Sequence, residues 1–343
     1  MRAYRFDAFG GFDHLNVHDE PQPLPRAGEV VVRVNAVSLN FRDVAIPTGR
    51  HPAPHDPGLI PTSDATGEVV EVGDGVTDLA VGDRVISSFH PRWFGGHPPA
   101  TLALEQYGRG RDGWLVEYKA VAAESVVAIS PAVSAIDACT LPCAATTAWT
   151  CLGGPDPVRP GQTVLTIGTG GVSLFAVQLA HAAGATVIST TSTDEKFDLL
   201  RNLGADHVIN YRTQPDWGTV ARSFTGGAGV DRIVEVGGPG TLSQSMTAIA
   251  ADAEIALVGF LDSSKTTIDF GELFRSSAHL RQVRVGDRQQ LQQMVAAVGA
   301  AGIKPVIDSV HQFDRAQDAF RRLDAGDLVG KVVISITDQE GTS

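Results

Sequence analysis

An α/β fold is expected, with a small β-barrel domain followed by a doubly wound parallel sheet of six strands. Three observations predict it. Residues 163–193, TVLTIGTGGVSLFAVQLAHAAGATVISTTST, read as strand, glycine turn, apolar helix and second strand, a βαβ unit of about 30 residues. From about Pro131 to the C-terminus, helical and β-branched runs alternate, the pattern of a parallel sheet. Before that, short β-rich runs are separated by glycine turns, the pattern of a small barrel.

Taken in order, VVVRVNAVSLN (30–40) alternates in hydrophobicity and is rich in valine. GEVVEVG (67–73) and DRVISSF (83–89) are short strands bounded by Gly73-Asp74-Gly75 and Gly82-Asp83. His90 to Gly113 is a long, Pro- and Gly-punctuated connection. It reads either as a disordered excursion or as a lid or pocket wall carrying Trp93, Phe94 and Trp114. In the second half, Thr163–Ile167 and Thr186–Thr190 flank a helix over Val172–Ala183. HVINY (207–211), RIVEV (232–236), EIALVGF (254–260) and LRQVRVG (280–286) complete the six strands. A helix over 288–299, a strand at PVIDSV (305–310), a helix over 313–325 and the strand KVVISI (331–336) close the chain.

The chain has 343 residues, enough for about two domains. Its formal net charge of −12 argues against nucleic-acid and anionic-membrane partners, which need a basic face. The three cysteines, Cys139, Cys143 and Cys151, show no C-x-x-C spacing, so a reducing cytoplasm is the expected compartment. The N-terminal MRAYRFDAFGG has no apolar secretory core, and no stretch reads as membrane-spanning.

Chemistry concentrates at the glycine turn. Gly168, Gly170 and Gly171 allow a tight turn and close approach of a pyrophosphate, and the amides from Val172 onward open the helix toward that anion. Ser173 stands where the third glycine of G-x-G-x-x-G falls, and is small enough for close helix–strand packing.

Five stretches together resemble the medium-chain dehydrogenase/reductase superfamily: LNFRDV (39–44), GEVVEVGDGVTDLAVGDRV (67–85), LPCAATTAW (141–149), GTGGV with GADHVINY (204–211), and GKVVISI (330–336). The resemblance implies a GroES-like β-barrel catalytic domain over 1–130, completed by 300–343, and a Rossmann NADP(H)-binding domain over 131–299. It further implies hydride transfer between a nicotinamide and a small-molecule substrate in the interdomain cleft.

Zinc-dependent members use a Cys, a His within G-H-E, and a second Cys. Here those positions hold Asn40, Ser63 (in Thr62-Ser63-Asp64) and Cys143, and the cysteine-rich structural-zinc loop is missing. Two of three ligands are gone, and the loop histidines His51, His55, His90 and His97 match no ligand spacing, so no metal is expected. An NAD enzyme presents an acid at the end of the second strand, where this chain has Thr191 and Ser192. Lys196 follows, and the resemblance to NADPH-dependent quinone reductases places Tyr211 beside a 2′-phosphate, so NADPH is the expected cofactor. A capping box formed by Ser192 and Glu195, or a ribose contact from Asp194 or Glu195, is the competing explanation.

For catalysis, the resemblance to enoyl-reductase domains assigns Asn40 to the nicotinamide vicinity, with Thr147, Gly237, Val258, Gly259, Phe260, Gly330 and Lys331 lining it. His51, where many enoyl reductases carry a Tyr, is a candidate proton donor, with a loop histidine of no role as the alternative. Arg42 and Asp43 are expected to form an ion pair bracing the strand end. Two reactions stay open: reduction of an activated double bond or quinone, and alcohol/carbonyl interconversion, the latter because GTGGVSLFAVQ and VEVGGPGTL are similar to bacterial NAD(P)-dependent alcohol dehydrogenase-like proteins. A non-catalytic NADPH-binding protein is a third class, for which no residue speaks. The sheet-edge strand near Leu280–Gly286 suggests a homodimer.

Overall fold

The computed structural model describes residues 1–51, 57–259, 261 and 267–337. The chain divides into two compact units: Met1–Thr146 with Gly286–Ala297 and Lys304–Ser343, and Thr147–Val285 with Val298–Ile303.

The first unit opens with an antiparallel pair, β1 (Arg2–Phe6) and β2 (Leu15–Asp19). Its sheet is built around β3 (Glu29–Ser38), which leads into α1 (Phe41–Ala45). β4 (Asp64–Val72), β5 (Arg84–Ser87), β6 (Tyr118–Ala122), β7 (Val126–Ala128) and α2 (Ala135–Ala138) follow. One side of β3 pairs with β4, while the first half of its other side pairs with β6. Val30, Val31, Val32 and Val34 are all fully buried, which is why this strand reads as a near-continuous valine run.

The second unit begins with α3, whose helix runs Thr146–Leu152, and then enters the nucleotide-type sheet. Its elements are β8 (Thr163–Ile167), α4 (Gly171–Ala182), β9 (Thr186–Thr191), α5 (Phe197–Asn202) and β10 (His207–Asn210). α6 (Trp217–Ser223), β11 (Val230–Glu235), α7 (Leu242–Ala248), β12 (Ile249–Leu257), α8 (Phe270–Ser276) and β13 (His279–Gln282) complete it. The strand order is β10-β9-β8-β11-β12-β13, parallel throughout, so all six expected strands are present in a doubly wound arrangement. Leu165, Ile188, Ile209, Ile233 and Ile255, one from each of five adjacent strands, lie in one hydrophobic cluster under the sheet.

After α9 (Arg288–Ala301), β14 (Ile307–Gln312), α10 (Ala316–Asp324) and β15 (Lys331–Ser335) return to the first unit. β15 pairs antiparallel with the second half of β3, at Ala36–Ser38, where β6 has ended. Gly330, just before β15, has φ +88°, and a Cβ there would lie 2.1 Å from the Val306 carbonyl oxygen. Close backbone approach therefore explains this glycine.

The compact units divide after Thr146, with Ile136 and Cys139 packed against Ala36 and Val333 of the first unit, and after Val285, with Val298–Ile303 belonging to the second. Several other expectations are corrected. The strand expected over 280–286 ends at Gln282, since the backbone turns to a positive φ of 58° at Val285. Trp114 is not a pocket wall; it is 1% exposed, edge-on to Tyr107 in the barrel core. Arg42 and Asp43 form no ion pair. As neighbours on a helix they diverge, Arg42 donating to the Tyr107 carbonyl at 2.8 Å and Asp43 accepting from the Asn40 N–H at 2.8 Å. Among the described residues, no helix is long and apolar enough to cross a membrane.

Candidate active site

Two groups of residues are assembled, one in each unit. In the second unit the expected residues gather at the C-terminal ends of the parallel strands, where ligands of such sheets bind. Gly168 follows β8 with φ +74°, and Gly170 caps α4 with no side chain covering the helix amides. A Cβ at either glycine would meet nothing within 4 Å, so open space lies above the turn. Gly171 and half-buried Val172 form the first turn of α4. Ser173 is buried and donates to the Ile167 carbonyl at 2.6 Å, locking helix to strand in place of the third glycine's close packing.

Along the neighbouring strands, Lys196 swings its Nζ to within 3.2 Å of Thr169 Oγ1, inside the glycine turn. Thr191 ends β9 and accepts the Tyr211 N–H on its carbonyl at 3.0 Å, which seats Tyr211 beside it. Ser192 is half-buried and Tyr211 is exposed. The capping-box explanation for Ser192 and Glu195 is not realised: the turn Asp194–Lys196 takes Thr193 as its N-cap, with no side-chain capping bond. Uncapped helix amides and an ammonium at the turn fit the pyrophosphate of a nicotinamide dinucleotide.

Sequence reasoning missed the residue that organises the other half of this edge. Glu235, 0% exposed at the end of β11, accepts hydrogen bonds from the Gly237 N–H (2.8 Å), the Gly238 N–H (3.0 Å), Thr241 Oγ1 (2.6 Å) and Ser245 Oγ (2.5 Å). Its backbone carbonyl accepts from the Val258 N–H at 2.9 Å and the Gly259 N–H at 3.3 Å. Burial raises its pKa, and these donors oppose the shift. Thus Gly237, through the carboxylate, and Val258 and Gly259, through the backbone carbonyl, are brought together around one residue. A buried acid in front of two glycines, VEVGG, was the available signal. Phe260 lies outside the described residues. Thr147 is buried on α3.

In the first unit, the three positions compared above with zinc ligands join two charged side chains: Asn40 contacts Lys331, while Ser63 and Cys143 contact Asp64. Lys331 is 4% exposed, and its Nζ donates to the Leu39 carbonyl and to Asn40 Oδ1, both at 2.6 Å. Asn40 Nδ2, on the Asp64 side, has no hydrogen-bond partner of ordinary geometry. Asp64 is fully buried; Oδ1 accepts from Ser63 Oγ at 2.7 Å and Oδ2 from the Cys143 N–H at 3.0 Å. Burial pushes its pKa up, with the Lys331 charge foremost among the groups that oppose the rise.

Cys143 sits in the π-turn Leu141–Ala145. Burial first, and then the Asp64 charge, hold its thiol far above the ordinary range, which disfavours the thiolate that binds metal. Asn40 is engaged by an ammonium and Ser63 donates to Asp64, so two of the three positions offer no ordinary zinc ligand and these residues do not fit a catalytic zinc. Among the described residues no cluster of His, Cys, Asp or Glu is placed to hold a metal ion. His51 is half-buried just beyond α1, its N–H donating to the Ala45 carbonyl at 3.0 Å.

Fold and site together define a dinucleotide-dependent oxidoreductase architecture. The chain matches the family models "Alcohol dehydrogenase GroES-like domain" over residues 26–131 and "Zinc-binding dehydrogenase" over 171–300, the latter range excluding Asn40, Ser63 and Cys143. It is 38% identical to a zinc-type alcohol dehydrogenase-like protein of Schizosaccharomyces pombe, over 98% of this chain and 99% of that one. It is 30% identical to a chloroplastic quinone oxidoreductase of Triphysaria versicolor, over 97% and 98%. A polyketide synthase subunit of Mycobacterium tuberculosis matches at 30% over 97% of this chain and 15% of its own.

Among solved structures, a Sinorhizobium meliloti protein provisionally assigned as an alcohol dehydrogenase superposes with TM-score 0.91 at 38% identity, covering 98% of each chain. An NAD-dependent alcohol dehydrogenase gives 0.89 at 31%, covering 98% and 100%. A mycobacterial protein in complex with NADPH gives 0.82 at 28%, with the same coverage. The chain belongs to the medium-chain dehydrogenase/reductase superfamily and is an oxidoreductase.

Two outcomes are expected. Lys331→Met leaves Asp64 buried without its cation and lowers stability by about 3–5 kcal/mol, and adding Asp64→Asn recovers most of the loss. Urea denaturation of the single and double variants measures both; a Lys331→Met variant as stable as wild type would show that the cluster is not charge-balanced. Glu235→Gln turns an amide donor toward other donors and costs about 1–3 kcal/mol. Nicotinamide cofactor affinity falls with it, and unchanged affinity would separate Glu235 from the cofactor edge.

Proposed function

We propose that this chain is a zinc-independent, NADPH-dependent reductase of activated double bonds (enones, enoyl thioesters) or of quinones. The observation that carries this reading is the Lys331 ammonium bonded to Asn40 at 2.6 Å, at a position where metal-dependent relatives need a ligand. Alcohol oxidation near neutral pH relies on a metal to acidify the hydroxyl, whereas reduction of a polarised double bond needs only positioning and hydrogen-bond donors. The quinone oxidoreductase and polyketide synthase relatives support the reading by name.

When bound, NADPH supplies the hydride from its nicotinamide ring. The open glycine turn and the first amides of α4 receive the pyrophosphate, and Ser192, Lys196 and Tyr211 hold the 2′-phosphate. Thr147, Gly237, Val258, Gly259, Phe260, Gly330 and Lys331 are assigned to the nicotinamide surroundings. With its Oδ1 held by Lys331 and its Nδ2 turned toward buried Asp64, Asn40 acts by holding the Lys331 ammonium in place. His51 delivers the proton to the carbon next to the substrate's carbonyl.

The two buried thiols, Cys139 and Cys151, suit a reducing cytoplasm. A second copy of the chain is the proposed partner, pairing along β13. That strand is an edge of the described sheet, and it follows α8, on which Phe270 and Phe274 are exposed.

Fluorescence titration with NADPH and NADH, followed by a panel of enones, quinones and alcohols, tests the catalytic reading. NADPH is expected to bind more tightly and an enone or quinone to be consumed. Asn40→Ala should lower kcat by about tenfold or more, because the Lys331 ammonium loses the oxygen that positions it, and an unchanged kcat would remove Asn40 from the site. Zinc-dependent turnover of an alcohol would instead establish the alcohol dehydrogenase reading favoured by the names of several relatives. For the dimer, a monomer mass by light scattering would overturn the pairing.

A further inference from the structure

The end of β9 carries no acid, yet an acid stands only three residues beyond Thr191. Asp194 opens the turn Asp194–Lys196, close in sequence to Ser192 and Lys196. A carboxylate free at this rim would accept from a ribose hydroxyl and repel a 2′-phosphate. What the carboxylate does is set by the adjacent strand. Asn210 is the last residue of β10 and is registered directly against Thr191. It is 6% exposed, and its Nδ2 donates to Asp194 Oδ1 at 2.6 Å.

The orientation of this amide is not arbitrary. Asn210 Oδ1 accepts from the Arg212 N–H at 3.0 Å, so the amide oxygen is committed to its own strand end and the NH2 group must face Asp194. The strand end itself is braced: the Asn210 carbonyl accepts from the Gln214 N–H at 2.9 Å and from Thr213 Oγ1 at 3.2 Å. The side chain is thus a fixed clasp on a carboxylate at an otherwise donor-lined rim of Ser192, Lys196 and Tyr211. Glu195, also exposed on the turn, is not engaged by it.

We propose that Asn210 is a specificity-determining residue, which sets the preference for a 2′-phosphorylated cofactor by clasping the Asp194 carboxylate toward β10. The proposal rests on the NADPH reading and adds to it a residue that touches no cofactor atom. Release of the clasp lets Asp194 reach the adenosine ribose, which favours NADH and disfavours NADPH.

The test is a set of nicotinamide-fluorescence titrations giving Kd for NADPH and NADH in wild type, Asn210→Ala, Asp194→Ala, Glu195→Gln and the double variant Asn210→Ala/Asp194→Ala. Wild type should prefer NADPH. In Asn210→Ala the Kd ratio should move toward NADH by about tenfold, the size of one charge-assisted hydrogen bond gained or lost. Asp194→Ala and Glu195→Gln alone should each change the ratio by less than about threefold, because a clasped or solvated surface charge is well screened. The double variant, lacking the same amide, should return to the wild-type ratio.

Equal weakening of both cofactors in Asn210→Ala, with no recovery in the double variant, would mean that Asn210 only braces the loop, and would overturn the clasp. A wild-type protein without NADPH preference would overturn the NADPH reading itself, and the clasp with it.

Discussion

The buried Lys331 ammonium is the interaction on which the first unit's site depends. A cation with 4% exposure persists only where charge and hydrogen bonds replace its lost water. Leu39 and Asn40 supply the oxygen atoms, and Asp64 supplies the charge. This arrangement ties β15, from the end of the chain, to the junction of β3 and α1 near its beginning. It also settles the orientation of Asn40. An amide whose oxygen faces an ammonium turns its NH2 the other way, here toward the Asp64 carboxylate.

The second unit reaches the same kind of result by different means. A parallel sheet places the C-terminal ends of its strands along one edge, and their loops must then be held without strand pairing. Glu235 holds the loops after β11 and β12 by accepting from both. Asn210 holds the turn after β9 from the end of β10. In each case one buried polar residue at a strand end satisfies groups of the neighbouring loop.

Most of the fold was legible because its signals are local. Gly168 needs a positive φ, the apolar helix after it has an unambiguous period, and the six strand runs are β-branched and bounded by turns. The failures share a cause. Trp114 looked like a pocket wall because its loop is polar, but burial depends on what the rest of the barrel packs over it. Arg42 and Asp43 looked paired because they are adjacent and opposite, but adjacent helical residues point apart. Ser192 and Glu195 have the spacing of a capping box, yet the turn starts at Thr193.

By itself, the sequence determined the fold class and the glycine turn for a dinucleotide, since each depends on residue type and short-range spacing, while the missing zinc ligands were legible only through the family resemblance. Only the tertiary structure decided which cation contacts Asn40 and which amide holds Asp194. Lys331 lies 291 positions from Asn40, and Asn210 lies 16 from Asp194. Hydrogen bonds between a strand residue and a turn or helix cap distant in sequence follow from strand order and register, which local composition does not encode.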